Sequence, residues 1–207
     1  MFYANLLINL LVSTSIAASG ASFNAQANVL DSFQNRPAVD VGMKIPGVPF
    51  YSQFRDINDA EWQKIGCGIA SLAMLIEFYK PGTVAVNTLL EEGIAAGTYL
   101  SGAGWKHEGL VLLAVKYGLK GSSYDLSNLG MDAALAQFEA ALKGGPVIAS
   151  VHYKFDPKSS IPHLAVINGV DGDTVYYNDP AGTSAGGKIS VQDFIKAWKK
   201  RFIAVRP

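Results

Sequence analysis

Hydrophobic residues recur at helical spacing through the first two thirds of the chain. The predicted helices cover residues 67–79, 88–96, 107–117 and 131–143. The first is apolar nearly all round, which indicates a buried central helix that begins at Cys67 and ends at Lys80-Pro81-Gly82. Asn87 is a candidate N-cap for the second helix. Gly144-Gly145 ends the last of these helices, and beyond it the hydrophobic residues no longer recur at helical spacing.

The last third of the chain has the composition of strands and turns. The predicted strands cover residues 146–153, 163–170, 174–179 and 202–205. The turn residues Asp171-Gly172-Asp173 indicate that the second and third strands form a hairpin. Ser190 and Asp193 have capping-box spacing and open a short helix that runs to Lys199. Helices followed by an antiparallel sheet predict the α+β fold class.

The N-terminal 27 residues have the features of a secretory signal peptide. Their apolar segment is too short and too polar for a comfortable membrane span, and Ala25-Gln26-Ala27 fits a cleavage site. No Lys or Arg precedes Arg36, which is atypical of such signals. The expected organisation is a signal peptide over residues 1–27, a linker over residues 28–47 and one domain over residues 48–207. We expect an exported protein with no stable membrane span after signal removal; a cytoplasmic protein is the alternative.

Composition excludes several classes of partner. The 17 Lys and Arg residues balance 17 Asp and Glu residues, and no basic block occurs, so a nucleic-acid partner is not expected. A single cysteine excludes an intrachain disulfide. Neither metal-ligand spacing of Cys and His nor a phosphate-binding loop is present, so no metal or cofactor is expected. The oligomeric state cannot be read from the sequence.

Cys67 is the first candidate for chemistry. At a helix N-terminus its sulfur lies beside unpaired backbone N–H groups and the positive end of the helix dipole, which favours the nucleophilic thiolate. Gly66 and Gly68 flank it, and we expect them to let a substrate backbone approach closely. A buried, inert cysteine is the alternative.

The register of the predicted hairpin decides which side chain faces His163. A three-residue turn, Asp171 to Asp173, places Asp179 on the His163 face of the sheet. A two-residue turn, Asp171-Gly172, places Asn178 there instead. Both side chains can orient an imidazole. Register suggests no acidic or amide partner for the other two histidines, His107 and His152.

Several spaced segments together resemble a known family. They are Tyr51-Ser-Gln53, Gly66-Cys67-Gly68 with Ala70 and Met74, Pro146-Val-Ile148, His163-x-Ala-Val-Ile-x-Gly169, Asn178-Asp-Pro-Ala181, Phe194 and Trp198. In this order, across about residues 45–205, they resemble the C39-like branch of the papain-fold cysteine peptidases. Double-glycine leader peptidases, which process bacteriocin precursors, are relatives of that branch.

The resemblance implies a papain-like fold and a role for each of four residues. Cys67 would be the nucleophile, and His163 the general base and then the acid. Asp179 would orient the imidazole, and Gln53 would donate a hydrogen bond to the oxyanion together with the Cys67 backbone N–H.

The sequence therefore predicts a cysteine peptidase that cleaves peptide bonds of a peptide or protein substrate through an acyl-thioester. A papain-fold amidase acting on cell-wall peptides would use the same residues. A non-catalytic peptide-binding domain of the same fold is the alternative outside enzymes.

Overall fold

The secondary structure of the computed structural model, which describes residues 42–207, is mixed helix and sheet. The helices are α1 (Ala60–Gln63), α2 (Cys67–Tyr79), α3 (Val86–Ala95), α4 (His107–Lys116), α5 (Met131–Lys143) and α6 (Val191–Ala197). The strands are β1 (Met43–Lys44), β2 (Tyr99–Leu100), β3 (Gly104–Trp105), β4 (Lys120–Asp125), β5 (Val147–His152), β6 (Pro162–Asp171), β7 (Thr174–Asn178), β8 (Gly187–Ser190) and β9 (Trp198–Arg206). The predicted signal peptide and most of the predicted linker lie outside the described residues.

One antiparallel sheet forms the frame of the domain. Its strand order is β4-β9-β5-β6-β7-β8, and β1 pairs with the end of β6. Strands β2 and β3 form a separate hairpin. Because β6 has a strand on either side, its residues are held in a fixed register. The α+β prediction is confirmed.

Helix α2 lies in the core against this sheet. All residues from Gly68 to Ile76 are buried, as expected for a helix that is apolar on every side. The Ser71 hydroxyl donates to the Leu164 backbone oxygen of β6 at 3.2 Å, so a polar group at this contact is satisfied. Since Cys67 starts α2 and His163 lies near the start of β6, the contact between these elements brings the two side chains to one place.

An aromatic cluster fills the opposite part of the core. Phe138 of α5 contacts Phe194 of α6 and both Trp198 and Phe202 of β9, with ring centroids between 4.8 and 5.5 Å apart. Phe138, Phe194 and Phe202 are almost completely buried. These rings hold α5 and α6 on β9, and through β9 they support the strand next to β6.

The structure corrects the predicted start of the second helix. Helix α3 begins at Val86, and Ala85 is its N-cap. The Asn87 side chain instead accepts a hydrogen bond from the Asn58 backbone N–H and donates one to the Asp56 backbone oxygen. It therefore anchors the loop before α1 rather than capping its own helix.

Some strands were not predicted or were predicted with other bounds. Strand β4 pairs with β9 along its whole length but is almost entirely exposed, so it lacks the alternation that marks a strand. Strand β8 is short and was also not predicted. Strand β1 lies within the predicted linker, and β9 begins at Trp198 rather than at Phe202.

Within residues 42–207, no helix is both long enough and apolar enough to span a membrane.

Candidate active site

Cys67 is the first residue of α2. The N-cap Gly66 accepts the first intrahelical bond through its backbone oxygen, from the Ala70 N–H at 3.0 Å. Cys67 is half-buried, and the N–H groups of the first helical turn have no intrahelical partner. The sulfur therefore lies beside free donors at the positive end of a 13-residue helix.

The space beside the two glycines that flank Cys67 is occupied by other residues of the protein. A Cβ at Gly68 would lie 2.7 Å from the Trp105 ring, and one at Gly66 would lie 2.9 Å from the Trp62 backbone oxygen. The Trp105 indole N–H donates to the Ile65 backbone oxygen at 2.7 Å, which fixes this ring beside the cysteine. The expectation that these glycines open space for a substrate backbone is therefore wrong.

His163 is held between Cys67 and Asp179. It is 3 % exposed, and its Nε2 lies 2.6 Å from Asp179 Oδ1. Cys67 borders the same two cavities as His163 and helps to raise the pKa of the imidazole. Because Nε2 is occupied by Asp179, Nδ1 is the ring nitrogen left to interact with the sulfur. The Tyr153 ring meets the imidazole edge-on at 5.3 Å and closes another side of it.

A β-bulge decides which residue of β7 faces His163. The turn consists of Gly172 and Asp173, with Asp171 opposite Thr174, so neither of the two predicted turns occurs. Continued without interruption, this register would put Asn178 on the His163 face. The register shifts at Asn168, however, and Asn178 then pairs with Val166, which turns Asp179 towards His163.

Asn178 has a separate structural role. Its side-chain amide donates to the backbone oxygens of Val48 and Pro49 at 3.2 and 3.0 Å, and its oxygen accepts from the Gly186 N–H. It thus anchors the segment that leads to Gln53. The backbone N–H of Gln53 in turn donates to the Pro180 oxygen at 2.8 Å.

The charge on His163 is stabilised by its neighbours. Burial lowers the pKa of His163, but hydrogen bonds to Asp179 and Cys67 and their negative charges outweigh it and raise the pKa to about 9. The Asp179 carboxylate is itself held by the Ala181 N–H at 2.9 Å. An imidazolium is therefore maintained at neutral pH next to the sulfur.

Gln53 lies beside the cysteine on the other side. It is 2 % exposed, and its Nε2 donates to the Gln63 backbone oxygen at 2.7 Å. Its Cβ would be 3.5 Å from a Cβ placed at Gly66. An amide nitrogen has two N–H groups, so the bond to Gln63 fixes the side chain and leaves one donor.

Two cavities meet at Cys67 and His163. The larger, about 410 Å³, has aromatic and aliphatic walls that include Phe54, Tyr99, Tyr153 and Ile161, and Gln53 also borders it. The smaller is about 140 Å³ and more polar; its walls include His107, Ser150, Lys199 and Arg201. The paired side chains thus lie in a cleft that continues in two directions. No cluster suited to a metal ion occurs among residues 42–207.

Residues 45–202 match the model of the Peptidase_C39-like family. The chain belongs to this family. A comparison with curated proteins gives no match.

Solved structures of C39-like peptidases share the fold of this C39-like protein. A C39-like peptidase from Bacillus anthracis has a TM-score of 0.58 and 22% identity, with coverage of 78% of this chain and 95% of that one. A double-glycine-motif protease from an AMS/PCAT transporter, solved with its leader peptide, has a TM-score of 0.55 and 24% identity, with coverage of 81% and 96%. The peptidase domain of Streptococcus ComA has a TM-score of 0.54 and 20% identity, with coverage of 78% and 99%. The expected papain-like fold is confirmed.

The structure of this C39-like protein thus brings all four predicted residues together. Asp179 hydrogen-bonds His163, His163 and Cys67 border the same two cavities, and Gln53 lines the larger of them. Sequence reasoning missed Trp105, Tyr153 and Lys199. Trp105 follows a glycine-rich loop and Tyr153 is the last residue of a predicted strand, and neither position carries a motif. Lys199 was assigned to the end of a helix.

Proposed function

We propose that this C39-like protein is a cysteine peptidase that hydrolyses peptide bonds through an acyl-thioester on Cys67. The observation that supports it most directly is the position of His163, which hydrogen-bonds Asp179 and lines the same cleft as Cys67. A nucleophile, a base and a group that orients the base are the parts that nucleophilic acyl transfer needs. Family membership supports the same reaction class.

In the proposed first step, the Cys67 thiolate attacks the carbonyl carbon of the scissile bond. The developing oxyanion accepts hydrogen bonds from the Cys67 backbone N–H and the remaining Gln53 N–H. His163 gives its proton to the leaving amine nitrogen as the C–N bond breaks. The acyl group is then held on sulfur as a thioester, and His163 is neutral.

In the second step, His163 takes a proton from water, and the hydroxide attacks the thioester carbonyl. The carbon–sulfur bond breaks, the carboxylic acid product leaves, and the thiolate–imidazolium pair is restored. Asp179 keeps Nδ1 directed at the reacting atoms throughout, through its bond to Nε2.

The cleft supports a peptide as the substrate. The apolar cavity beside Gln53 is large enough for a bulky side chain and lies against the reactive pair. One of the solved relatives was crystallised with a leader peptide. We propose a linear peptide segment as the substrate here.

The pH dependence of Cys67 alkylation by iodoacetamide tests the proposed pair. An ordinary thiol reacts with a single rise near pH 8.5. We expect a rate that is already high at pH 5 to 6 and that returns to the ordinary curve in His163→Ala. Since the chain has one cysteine, the reaction reports on Cys67 alone. An ordinary curve in both proteins would contradict the proposal and favour a peptide-binding domain.

Digestion assays then identify the substrate class. We expect cleavage of a linear peptide library by the wild type and none by Cys67→Ala. Release of peptides from purified peptidoglycan, with the linear library untouched, would instead identify an amidase of cell-wall peptides.

A further inference from the structure

A second β-bulge lies beside the reactive pair. Ser150 of β5 pairs with Arg201 of β9, but the next residue, Val151, pairs with Trp198. Lys199 and Lys200 are therefore extra residues in β9, and Lys200 has a positive φ of 54°. Bulges of this kind redirect side chains next to active sites.

The two lysines of the bulge have different environments. The Lys200 ammonium donates to the backbone oxygens of Ser127 and Leu129, at 2.8 and 2.7 Å, and so fastens the bulge to the loop before α5. Lys199 is half-buried and lines the smaller cavity. Within residues 42–207, no carboxylate pairs with its ammonium.

The charges around this cavity are unbalanced. Arg201 also lines it, and its Nε bonds to Asp125 Oδ2 at 2.9 Å, so that charge is largely compensated. None of the described residues that line the cavity is acidic. The nearby Glu108 side chain is bonded to the Ser123 hydroxyl outside it. The Lys199 ammonium is therefore available to an anionic group that enters the cavity from solvent.

We propose that the smaller cavity is a subsite for a substrate carboxylate, with Lys199 as the residue that determines this specificity. The proposal rests on the proposed peptidase function and adds a substrate class to it. Cys67 and His163 themselves border the cavity. Because the cavity is only about 140 Å³ and an extended chain advances at most about 3.6 Å per residue, the carboxylate belongs to a residue within about two positions of the scissile bond. It is either an acidic side chain or the terminal carboxylate of a short substrate.

A pair of alkylating probes tests the subsite without any substrate. Iodoacetate and iodoacetamide both transfer a carboxymethyl-sized group to sulfur with loss of iodide, and only iodoacetate carries a carboxylate. We expect Lys199→Met to lower the ratio of the iodoacetate rate to the iodoacetamide rate by about tenfold, and Lys199→Glu to lower it further. Lys196→Met removes the same charge from the exposed face of α6 and should leave the ratio unchanged.

Internally quenched peptides then distinguish the two sources of the carboxylate. One set carries Glu, Gln or Lys within two positions of the scissile bond, and a second set has a free or an amidated C-terminus. A preference for Glu over Gln that Lys199→Met abolishes identifies an acidic side chain. A preference for the free terminus that the same variant abolishes identifies the terminal carboxylate.

The outcomes separate this proposal from the peptidase function. An unchanged alkylation ratio in both Lys199 variants, with cleavage intact, would overturn the subsite and leave the peptidase standing. A reduced ratio in a protein that cleaves no peptide would support the subsite and overturn the peptidase.

Discussion

The negative charge of the Asp179 carboxylate extends the pH range over which His163 stays protonated beside Cys67. His163 is buried, which on its own would keep its imidazole neutral at physiological pH. Asp179 opposes this effect, together with Cys67, because its carboxylate is 2.6 Å from Nε2 and is itself held by a backbone N–H. Replacing that carboxylate by an amide of the same shape would remove the charge and keep the position.

Asp179→Asn should therefore narrow the active pH range from its alkaline side. Since Asp179 and Cys67 together raise the pKa of His163 to about 9 against the effect of burial, the loss of the Asp179 charge lowers that pKa, and the imidazolium disappears at lower pH. We expect the alkaline limit of peptide cleavage, measured as kcat/KM against pH, to fall by about one to three pH units. Asp173→Asn, an exposed change on the same hairpin, is the control. An unmoved alkaline limit would mean that the Asp179 charge does not raise the pKa of His163.

Gln53 can be separated from the nucleophile by the kind of reaction followed. Peptide hydrolysis passes through an oxyanion, but alkylation by iodoacetamide does not. Gln53→Ala should lower kcat for peptide cleavage by about a hundredfold and leave the alkylation rate within about twofold. An equal loss in both reactions would mean that Gln53 supports the position of Cys67 and does not donate to the oxyanion.

At the scale of elements, the site depends on how closely the β2–β3 hairpin packs on the start of α2. Trp105 of β3 lies over Gly68 and also contacts the rings of Tyr99 and Trp62. The Tyr99 and Trp105 rings line the cleft, and Trp62 supports Trp105 from outside it. A side chain at position 68 would have to displace the Trp105 ring.

Gly68→Ala should consequently destabilise the protein by about 1–3 kcal/mol, as in other overpacked cores, and slow the alkylation of Cys67. Urea unfolding measures the first effect. Gly130→Ala is the matched control, because its Cβ meets no atom within 4 Å. The double variant Gly68→Ala/Trp105→Leu replaces the indole by a smaller side chain and should recover part of the free energy of unfolding. If Gly68→Ala changed neither the free energy of unfolding nor the alkylation rate, the β2–β3 hairpin would be able to shift at no cost.

For the molecule as a whole, much of the arrangement follows from the sequence. The central helix from Cys67 and the α+β class are encoded by local hydrophobic patterns, which the structure reproduces. The bulges at Asn168 and at Lys199–Lys200 are not, because a bulge depends on how neighbouring strands pair. The sequence could therefore name Asp179 and Asn178 as candidates, while only the pairing shows that Asp179 reaches His163. For the same reason, the sequence does not indicate that Lys199 lines the cleft.

The location of the whole protein is still a prediction from its N-terminal residues. If residues 1–27 are a signal peptide, bacterial expression of the full sequence should yield an exported protein that begins at Asn28. Cell fractionation with intact-mass measurement checks this, and Leu10→Arg, which interrupts the apolar segment, should retain the precursor in the cytoplasm. Recovery of the full-length chain in the cytoplasm without that change would contradict export.

The bulge at Asn168 also bears on how such sites diverge in evolution. Asn178 and Asp179 are neighbours on one strand, and papain-like sites use either an amide or a carboxylate to hold the histidine. With the turn unchanged, regular pairing of Asn168 with Tyr177 in place of the bulge would exchange the faces of these two residues without altering either. In this hairpin, a Cys-His-Asp site and a Cys-His-Asn site are thus separated by a one-residue shift in strand register and not by the exchange of one side chain for another.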